Sequence, residues 1–290
     1  MYVESSDTLS LYLDNVKVKK GDYEYLVPIG DLHTIILDNY KILLSVHLIN
    51  ALTKANVNLV LCNVEHMPQA ILRPISGNSS SPLILKRQIE WDNIIKSKIH
   101  RLIVVNKINN QIHILKKHQC DVDYINKIHH LMLDVEYGDL TNREGLAAKM
   151  YFRSLFGPEF KRFNDDIINS GLNYGYAVLR SQISKAIIAK GLNPKLGIFH
   201  IGRNNLFNLS DDFIEPFRPI IDDWVKKNLV NAEMFTREHR LEIVKQTLIN
   251  VNIKQQSQSL FNAINIFIDS IIKCFDENDE KYYETISLSL

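Results

Sequence analysis

The chain has 290 residues, of which 46% are hydrophobic and 23% are charged, and this length is enough for one large domain or two ordinary ones. A formal net charge of +1 excludes a uniformly basic nucleic-acid-binding protein, although the middle of the chain is mildly basic and both ends are acidic. No apolar run reaches membrane-spanning length, no secretory leader is visible, and three widely spaced cysteines exclude a disulfide framework, so we expect a cytoplasmic protein.

The N-terminal part of the chain predicts several short strands and one helix. Apolar side chains alternate with polar ones from Leu9 to Leu13, and this alternation recurs in short runs up to Leu37. Residues 41–54 predict a helix, because leucines recur there at every fourth position. Residues 57–62 form a short apolar run that predicts a buried strand.

A larger domain follows a segment with the composition of a linker. Residues 76–82, Ser-Gly-Asn-Ser-Ser-Ser-Pro, are rich in turn-forming residues, and beyond them apolar residues recur at spacings of three and four. We therefore predict an α+β fold, with a small β-rich domain over residues 1–75 and a larger all-α domain over residues 83–290. The acidic segment 274–280 predicts a loosely held C-terminal tail.

One histidine and three carboxylates lie close together in the second half of the chain. His200 is followed by Asp211, Asp212 and Glu215, and we interpret the three acids as the first turns of a helix opened by Ser210. Acids three and four positions apart share a helical face, where like charges repel. A cation between them would remove this repulsion, and carboxylate oxygens with one imidazole suit Mg²⁺ or Mn²⁺.

Ordinary structural roles also explain these residues. Acids near the start of a helix stabilise its dipole, and Glu215 could pair with Arg218 three positions later. A single histidine in an apolar context, such as His200, is more often a core residue than a metal ligand. Pro216 and Pro219 argue against an ordinary helix, because each removes a backbone donor.

Glu144 is a further candidate carboxylate, and it has two interpretations. Thr141 precedes it by three positions, so the pair matches a capping box ahead of an apolar run. Alternatively, Gly145, Ala147 and Ala148 reduce the bulk around the carboxylate, which would let another helix or a substrate approach closely.

Five short segments, read in order, carry a family resemblance. They are CNVEHMP at residues 62–68, EGLAAKMYF at 144–152, LNYGYAVL at 172–179, GIFH at 197–200 and DFIEPFRP at 212–219. With these segments the chain resembles the CRISPR-associated spacer-integration endonuclease, the catalytic integrase subunit of the CRISPR adaptation complex, in the form found with type II systems. The resemblance covers essentially the whole length of the chain.

The resemblance implies a site, a cofactor and partners. It implies a metal site for Mg²⁺ or Mn²⁺ built from Glu144, His200 and Glu215, with Asp212 matching a second acid one turn before the last ligand; Asp211 matches less well. It implies a homodimer made through the β-rich domains. Two such dimers would be bridged by a dimer of a small companion protein, giving a heterohexamer, and other type II CRISPR proteins could dock.

The reaction implied by the resemblance is DNA strand transfer. The substrates would be double-stranded DNA, namely the spacer precursor and the repeat array, and a 3′-hydroxyl would attack a phosphodiester. Basic residues near the site are candidates for holding phosphates, with Arg180 and Arg203 favoured; the set is Arg143, Lys149, Arg153, Arg180, Arg203 and Arg218. Surface solvation or helix pairing explains each of them equally well. The alternatives are a stand-alone structure-selective nuclease and a catalytically idle DNA-binding scaffold.

Overall fold

The computed structural model describes residues 1–6, 8–72 and 81–288, with the side chain of Ser81 excepted. The chain divides into two compact units. The first comprises Met1–Pro82 and Ile188–Gly191, and the second comprises Leu83–Ile187 and Leu192–Leu290. Residues 76–80 of the predicted linker lie outside the described residues, so the linker stays a prediction there. Its last two residues, at positions 81 and 82, are the first two of a helix.

The first unit contains two four-stranded sheets and one helix. Its strands are β1 (Tyr2–Val3), β2 (Thr8–Tyr12), β3 (Asn15–Lys20), β4 (Tyr23–Pro28), β5 (Thr34–Leu37), β6 (Leu43–Leu44), β7 (Asn58–Cys62) and β8 (Pro68–Leu72), and its helix is α1 (Val46–Lys54). The two sheets have the strand orders β4-β3-β2-β6 and β1-β5-β7-β8. Strands β2, β3 and β4 are antiparallel neighbours, whereas β1, β5 and β7 run parallel.

Two local differences from the predicted elements have simple causes. Leu13 lies in the turn between β2 and β3 with a φ of 43°, and it is 76% exposed, so it does not continue the alternation. Helix α1 begins later than predicted, because Ser45 caps it by accepting a hydrogen bond from the backbone N–H of Leu48. The two leucines before Ser45 form β6 and pair with β2.

The second unit is mainly helical. Its helices are α2 (Ser81–Ile89), α3 (Asn93–Lys117), α4 (Val122–Leu133), α5 (Arg143–Phe156), α6 (Ile167–Ala189), α7 (Asn208–Ile214), α8 (Arg218–Asn228), α9 (Arg237–Lys245) and α10 (Leu260–Asp276), and an antiparallel pair is formed by β9 (Asn250–Ile253) and β10 (Gln256–Ser259). The last two residues of α6, at positions 188 and 189, belong to the first unit. In the described ranges, no helix is both long and apolar enough to span a membrane.

Helix α3 contains a buried lysine, Lys107. It begins after Asp92, whose carboxylate accepts hydrogen bonds from the first backbone N–H groups of the helix. Buried isoleucines recur at every fourth position from Ile95 to Ile103, and Lys107 and Gln111 continue the same buried stripe. A buried charge needs a partner, so the surroundings of Lys107 define a polar centre inside the helical unit.

The C-terminal segment is held more firmly than its acidic composition predicts. Cys274 is buried near the end of α10, and Ile286 and Leu288 are buried beyond it. Asn106 of α3 donates a hydrogen bond to the carbonyl of Ile286 and accepts one from its backbone N–H. The prediction of a loosely held tail over residues 274–280 is therefore wrong, because the apolar residues on either side of the acids are packed.

Candidate active site

Two acids that are distant in the sequence meet at one lysine. Lys107 of α3 donates a hydrogen bond from Nζ to Oε1 of Glu144 at 2.6 Å, and the same Nζ forms an ion pair with Oε2 of Glu215 at 2.5 Å. Glu144 lies in the first turn of α5, and Glu215 lies between α7 and α8. We call this arrangement of Glu144, Lys107 and Glu215 the lysine bridge.

The start of α5 leaves the Glu144 carboxylate available for the bridge. Asn142, with a φ of 53°, caps the helix by accepting a hydrogen bond from the N–H of Gly145. Asp139 accepts the backbone N–H of Glu144 at 2.9 Å. The alternative of a capping box from Thr141 is therefore wrong, since Asn142 and Asp139 provide the cap.

Gly145 serves this cap. A Cβ at position 145 would lie 2.5 Å from Oδ1 of Asn142, so a larger residue would push the capping side chain away. We predicted that another helix or a substrate approaches Gly145 closely, but the nearest atoms belong to the side chain of Asn142. The small residue is explained by the local structure that positions Glu144.

His200 is oriented by the carboxylate of Asp212, which makes four hydrogen bonds. Asp212 accepts hydrogen bonds from the backbone N–H groups of Ile198 at 2.5 Å, Phe199 at 3.2 Å and His200 at 3.0 Å. One of its oxygens also lies 2.7 Å from Nδ1 of His200. This hydrogen bond outweighs burial and raises the pKa of His200, with help from the nearby charges of Asp212 and Glu215.

A glycine is required beside this histidine. A Cβ on Gly197 would lie 2.2 Å from the carbonyl oxygen of His200 and 2.9 Å from Oδ2 of Asp212. Both atoms belong to the hydrogen-bonded loop, so no side chain fits there without moving it. Gly197, three positions before His200, thus allows the loop to adopt the conformation in which Asp212 orients the His200 ring.

The three clustered acids have different protein partners. Helix α7 begins at Asn208, and Ser210 is buried with its hydroxyl 2.6 Å from that of Ser184, so Ser210 does not open the helix. Asp211 pairs with Arg180 at 3.6 Å, whereas Asp212 holds the loop of His200. A metal cation among these acids stays a prediction, and the cation that the structure shows is the ammonium of Lys107, which lies between Glu144 and Glu215.

Glu215 has two basic partners, and both keep it ionised. Arg218 donates a hydrogen bond from Nε to Oε1 of Glu215 at 3.0 Å. This contact confirms the alternative that Glu215 pairs with Arg218, three positions later in the chain. Burial would raise the pKa of Glu215, but the charges of Arg218 and Lys107 outweigh burial and lower it to about 2. Burial would likewise lower the pKa of Lys107, yet Glu144 and Glu215 raise it above its usual value.

A buried network holds Arg218 from the other side. The Arg218 guanidinium lies 4.6 Å from the ring centroid of Tyr176, and the Tyr176 hydroxyl donates a short hydrogen bond to Asp222. Tyr151 donates to the second oxygen of Asp222 at 3.0 Å. Burial raises the pKa of Asp222 to about 6, although the two tyrosine hydrogen bonds favour the ionised form.

The side chains of Glu144, Glu215 and His200 are of the types that bind a divalent metal ion, although the ammonium of Lys107 lies between the two acids. Within residues 1–6, 8–72 and 81–288, no three histidine, cysteine, aspartate or glutamate side chains converge on one metal position. However, Lys107 supplies one positive charge to both acids, at Oε1 of Glu144 and at Oε2 of the buried Glu215. Two carboxylates around one cation, with a histidine held at Nδ1 by a carboxylate, are donors that suit Mg²⁺ or Mn²⁺.

Comparison with known proteins places the chain in a family. The family described as CRISPR associated protein Cas1 matches residues 1–262. The chain belongs to the Cas1 family. It is 31% identical over 274 residues to the CRISPR-associated endonuclease Cas1 of Neisseria meningitidis serogroup C (strain 8013), and the match covers 93% of this chain and 90% of that protein.

Two solved structures share the fold of this Cas1 chain. A Cas1 protein from Thermotoga maritima has a TM-score of 0.78 at 20% identity, and the match covers 95% of this chain and 96% of that one. A casposase bound to its integration product has a TM-score of 0.76 at 18% identity, over 97% of this chain and 91% of that one. These likenesses confirm the predicted α+β fold with a strand-rich N-terminal region and a helical C-terminal region.

The basic residues that we predicted for DNA lie in different settings in this Cas1 chain. Arg218 is committed to Glu215, and Arg180 lies over the ring of Phe207 at 4.8 Å while it pairs with Asp211. Arg203 is exposed, and Lys149 is exposed on α5. Their contacts with DNA stay predictions.

A basic cavity lies beside His200. Its volume is about 410 Å³, and its wall includes Lys96, Lys195 and Arg203 together with His200. No acidic side chain is among the described residues that line it. The cavity therefore offers positive charge next to His200.

Sequence reasoning missed several residues of the site. Lys107 lies on the apolar stripe of α3, four positions after Ile103, and a lone charge on such a stripe was the available indication. Tyr151 and Tyr176 lie within two of the segments that carry the family resemblance. His100, also on α3, stacks on Phe199 with ring centroids 3.8 Å apart, and nothing local marked it among ten histidines.

Proposed function

We propose that this chain is the metal-dependent DNA endonuclease and integrase of CRISPR adaptation, which inserts new spacer DNA into a repeat array. The observation that carries the proposal is the lysine bridge, in which Glu144 and Glu215 converge on a single cation. Membership of the Cas1 family supports the same assignment, because a 31% identical relative is named an endonuclease.

The residues that would hold the metal are Glu144, Glu215 and His200. The four contacts made by Asp212 leave it little capacity as a ligand, so we assign it the role of orienting His200. A bound Mg²⁺ or Mn²⁺ would polarise the scissile phosphodiester and stabilise the leaving oxygen. Arg218 keeps Glu215 ionised and positioned, and the Tyr176–Asp222 pair supports Arg218 from behind.

The reaction is a transesterification. The 3′-hydroxyl of the incoming DNA forms a bond to phosphorus, and the 3′-oxygen of the target strand leaves, so the number of phosphodiester bonds is conserved and no ATP is needed. Attack by water on the same phosphodiester would give hydrolysis. The basic cavity wall of Lys96, Lys195 and Arg203 suits the phosphates of a DNA strand that reaches His200.

The partners follow from the family resemblance. We propose a homodimer made through the β-rich unit, and a heterohexamer in which a dimer of a small companion protein bridges two such dimers. Double-stranded DNA is the substrate in both roles, as spacer precursor and as target. Other type II CRISPR proteins complete the set of proposed partners.

A joining assay tests this proposal. The protein, its companion and a repeat-bearing plasmid are incubated with linear duplex DNA in Mn²⁺ or in EDTA, and joined product is quantified. We expect joining in Mn²⁺ only, with loss of product in Glu144→Gln, His200→Ala and Glu215→Gln and no change in Glu159→Gln, an exposed acid outside the site. Hydrolysis without joining would instead show a stand-alone nuclease, and DNA binding without metal-dependent chemistry would show a scaffold.

A further inference from the structure

Lys107 occupies the place where the two proposed acidic ligands meet. Its Nζ lies 2.6 Å from Oε1 of Glu144 and 2.5 Å from Oε2 of Glu215. Both carboxylate oxygens therefore contact the same nitrogen atom. Only 11% of the Lys107 side chain is exposed, and 8% of that of Glu215. The ammonium is thus a buried cation held by the same atoms that would bind a metal.

The ammonium and a metal ion cannot use these oxygens together. Mg²⁺ binds oxygen ligands at about 2.0–2.1 Å, so an ion shared by the two carboxylates would overlap the position of Nζ. Two cations at this separation would also repel strongly in a buried site. The lysine stem is flexible, so Nζ can leave the acids by a change of rotamer while α3 stays in place.

We infer that Lys107 is the resident cation of the metal-free site and that a divalent ion must displace its ammonium in order to bind. The inference rests on the proposed function, since it concerns the same two acids. Lys107 holds Glu144 and Glu215 close together before the metal arrives, because the buried carboxylate of Glu215 and the partly buried one of Glu144 would repel each other without a cation. In return, it weakens the apparent metal affinity by competing for the same oxygens.

Metal binding to a Lys107→Met variant tests the competition. Mn²⁺ binding, followed by electron paramagnetic resonance, should be between about 5-fold and 150-fold tighter than in the wild type, which is the range of typical couplings between two ligands. In EDTA the variant should melt at a lower temperature than the wild type, and added Mn²⁺ should raise its melting temperature by more. Equal or weaker Mn²⁺ binding by a folded Lys107→Met variant would overturn the inference.

A matched variant separates displacement from a simple change of charge. Arg218→Gln also removes one positive charge beside Glu215, but among the described residues Arg218 is paired with Glu215 and not with Glu144. The gain in Mn²⁺ affinity should therefore be larger for Lys107→Met than for Arg218→Gln. Equal gains in both variants would show that Lys107 acts through its charge alone and would contradict displacement.

A structure of the wild type grown with Mn²⁺ gives an answer even if Lys107→Met does not fold. With Mn²⁺ at Glu144 and Glu215, Nζ of Lys107 should lie beyond hydrogen-bond distance of both acids. An ammonium that stays on both acids beside the ion would overturn the inference. If no Mn²⁺ binds in a manner sensitive to Glu144→Gln, the proposed metal site fails, and the inference fails with it.

Discussion

The loop around Asp212 and the lysine bridge hold buried carboxylates in opposite ways. Asp212 is satisfied by backbone N–H groups and one imidazole, all from residues 198–200. Glu215 is satisfied by two charged side chains, one of which comes from α3. Backbone donors cannot be exchanged, whereas one cation can replace another, so the first arrangement is a fixed support and the second is a cation site.

The largest expected effect comes from neutralising Glu215. Glu215→Gln removes a buried carboxylate from Lys107 and Arg218, and we expect a loss of about 3–5 kcal/mol in the free energy of unfolding, measured by urea denaturation without metal. The matched control Glu242→Gln disrupts an exposed pair with Lys245 and should cost less than about 1 kcal/mol. Equal losses in the two variants would mean that the lysine bridge contributes no more than a surface pair.

This effect should depend on pH in a defined direction. The pKa of Glu215 is lowered from 4.5 to about 2, so its contribution is fully present above pH 4.5 and is lost as the pH falls through 2. The stability difference between the wild type and Glu215→Gln should therefore shrink as the pH is lowered across this window. A difference that stays constant would show that Glu215 is not held ionised by Lys107 and Arg218.

A smaller effect is expected at the fixed support. Asp212→Asn keeps the size of the side chain but weakens the acceptor for His200 and its loop, and we expect Mn²⁺ affinity or activity to fall by about 10- to 100-fold. Because the pKa of His200 is raised mainly by its hydrogen bond to Asp212, the histidine pKa measured by NMR should also fall in the variant. An unchanged pKa would contradict the orienting role.

The sequence was sufficient for features that depend on local patterns. Period-two alternation located β2, β3 and β4, and a short apolar run located β7, whereas β1 and β8 were not predicted. The spacing of leucines located α1, although Ser45 moved its start and the residues of β6 had been predicted as helix. The β9–β10 pair was missed because its turn residues, Lys254 and Gln255, adopt positive φ values of 53° and 60° without glycine or asparagine. No residue in that turn carries the usual indication of a hairpin.

The candidate site was predictable only in part, for a physical reason. Glu144, His200 and Glu215 could be named from residue chemistry and resemblance, but their partners come from other elements. Lys107 reaches both acids from α3, and no local pattern links those three residues. The role of Asp212 likewise depends on backbone N–H groups whose directions are set by the folded loop.

Mn²⁺ binding by the acid variants tests the central claim most directly. The claim is that Glu144 and Glu215 form one cation site, so electron paramagnetic resonance should show Mn²⁺ binding in the wild type and in the control Glu159→Gln. The same titration should show binding lost in both Glu144→Gln and Glu215→Gln. Binding that survives at wild-type affinity in either of these two variants would contradict the account.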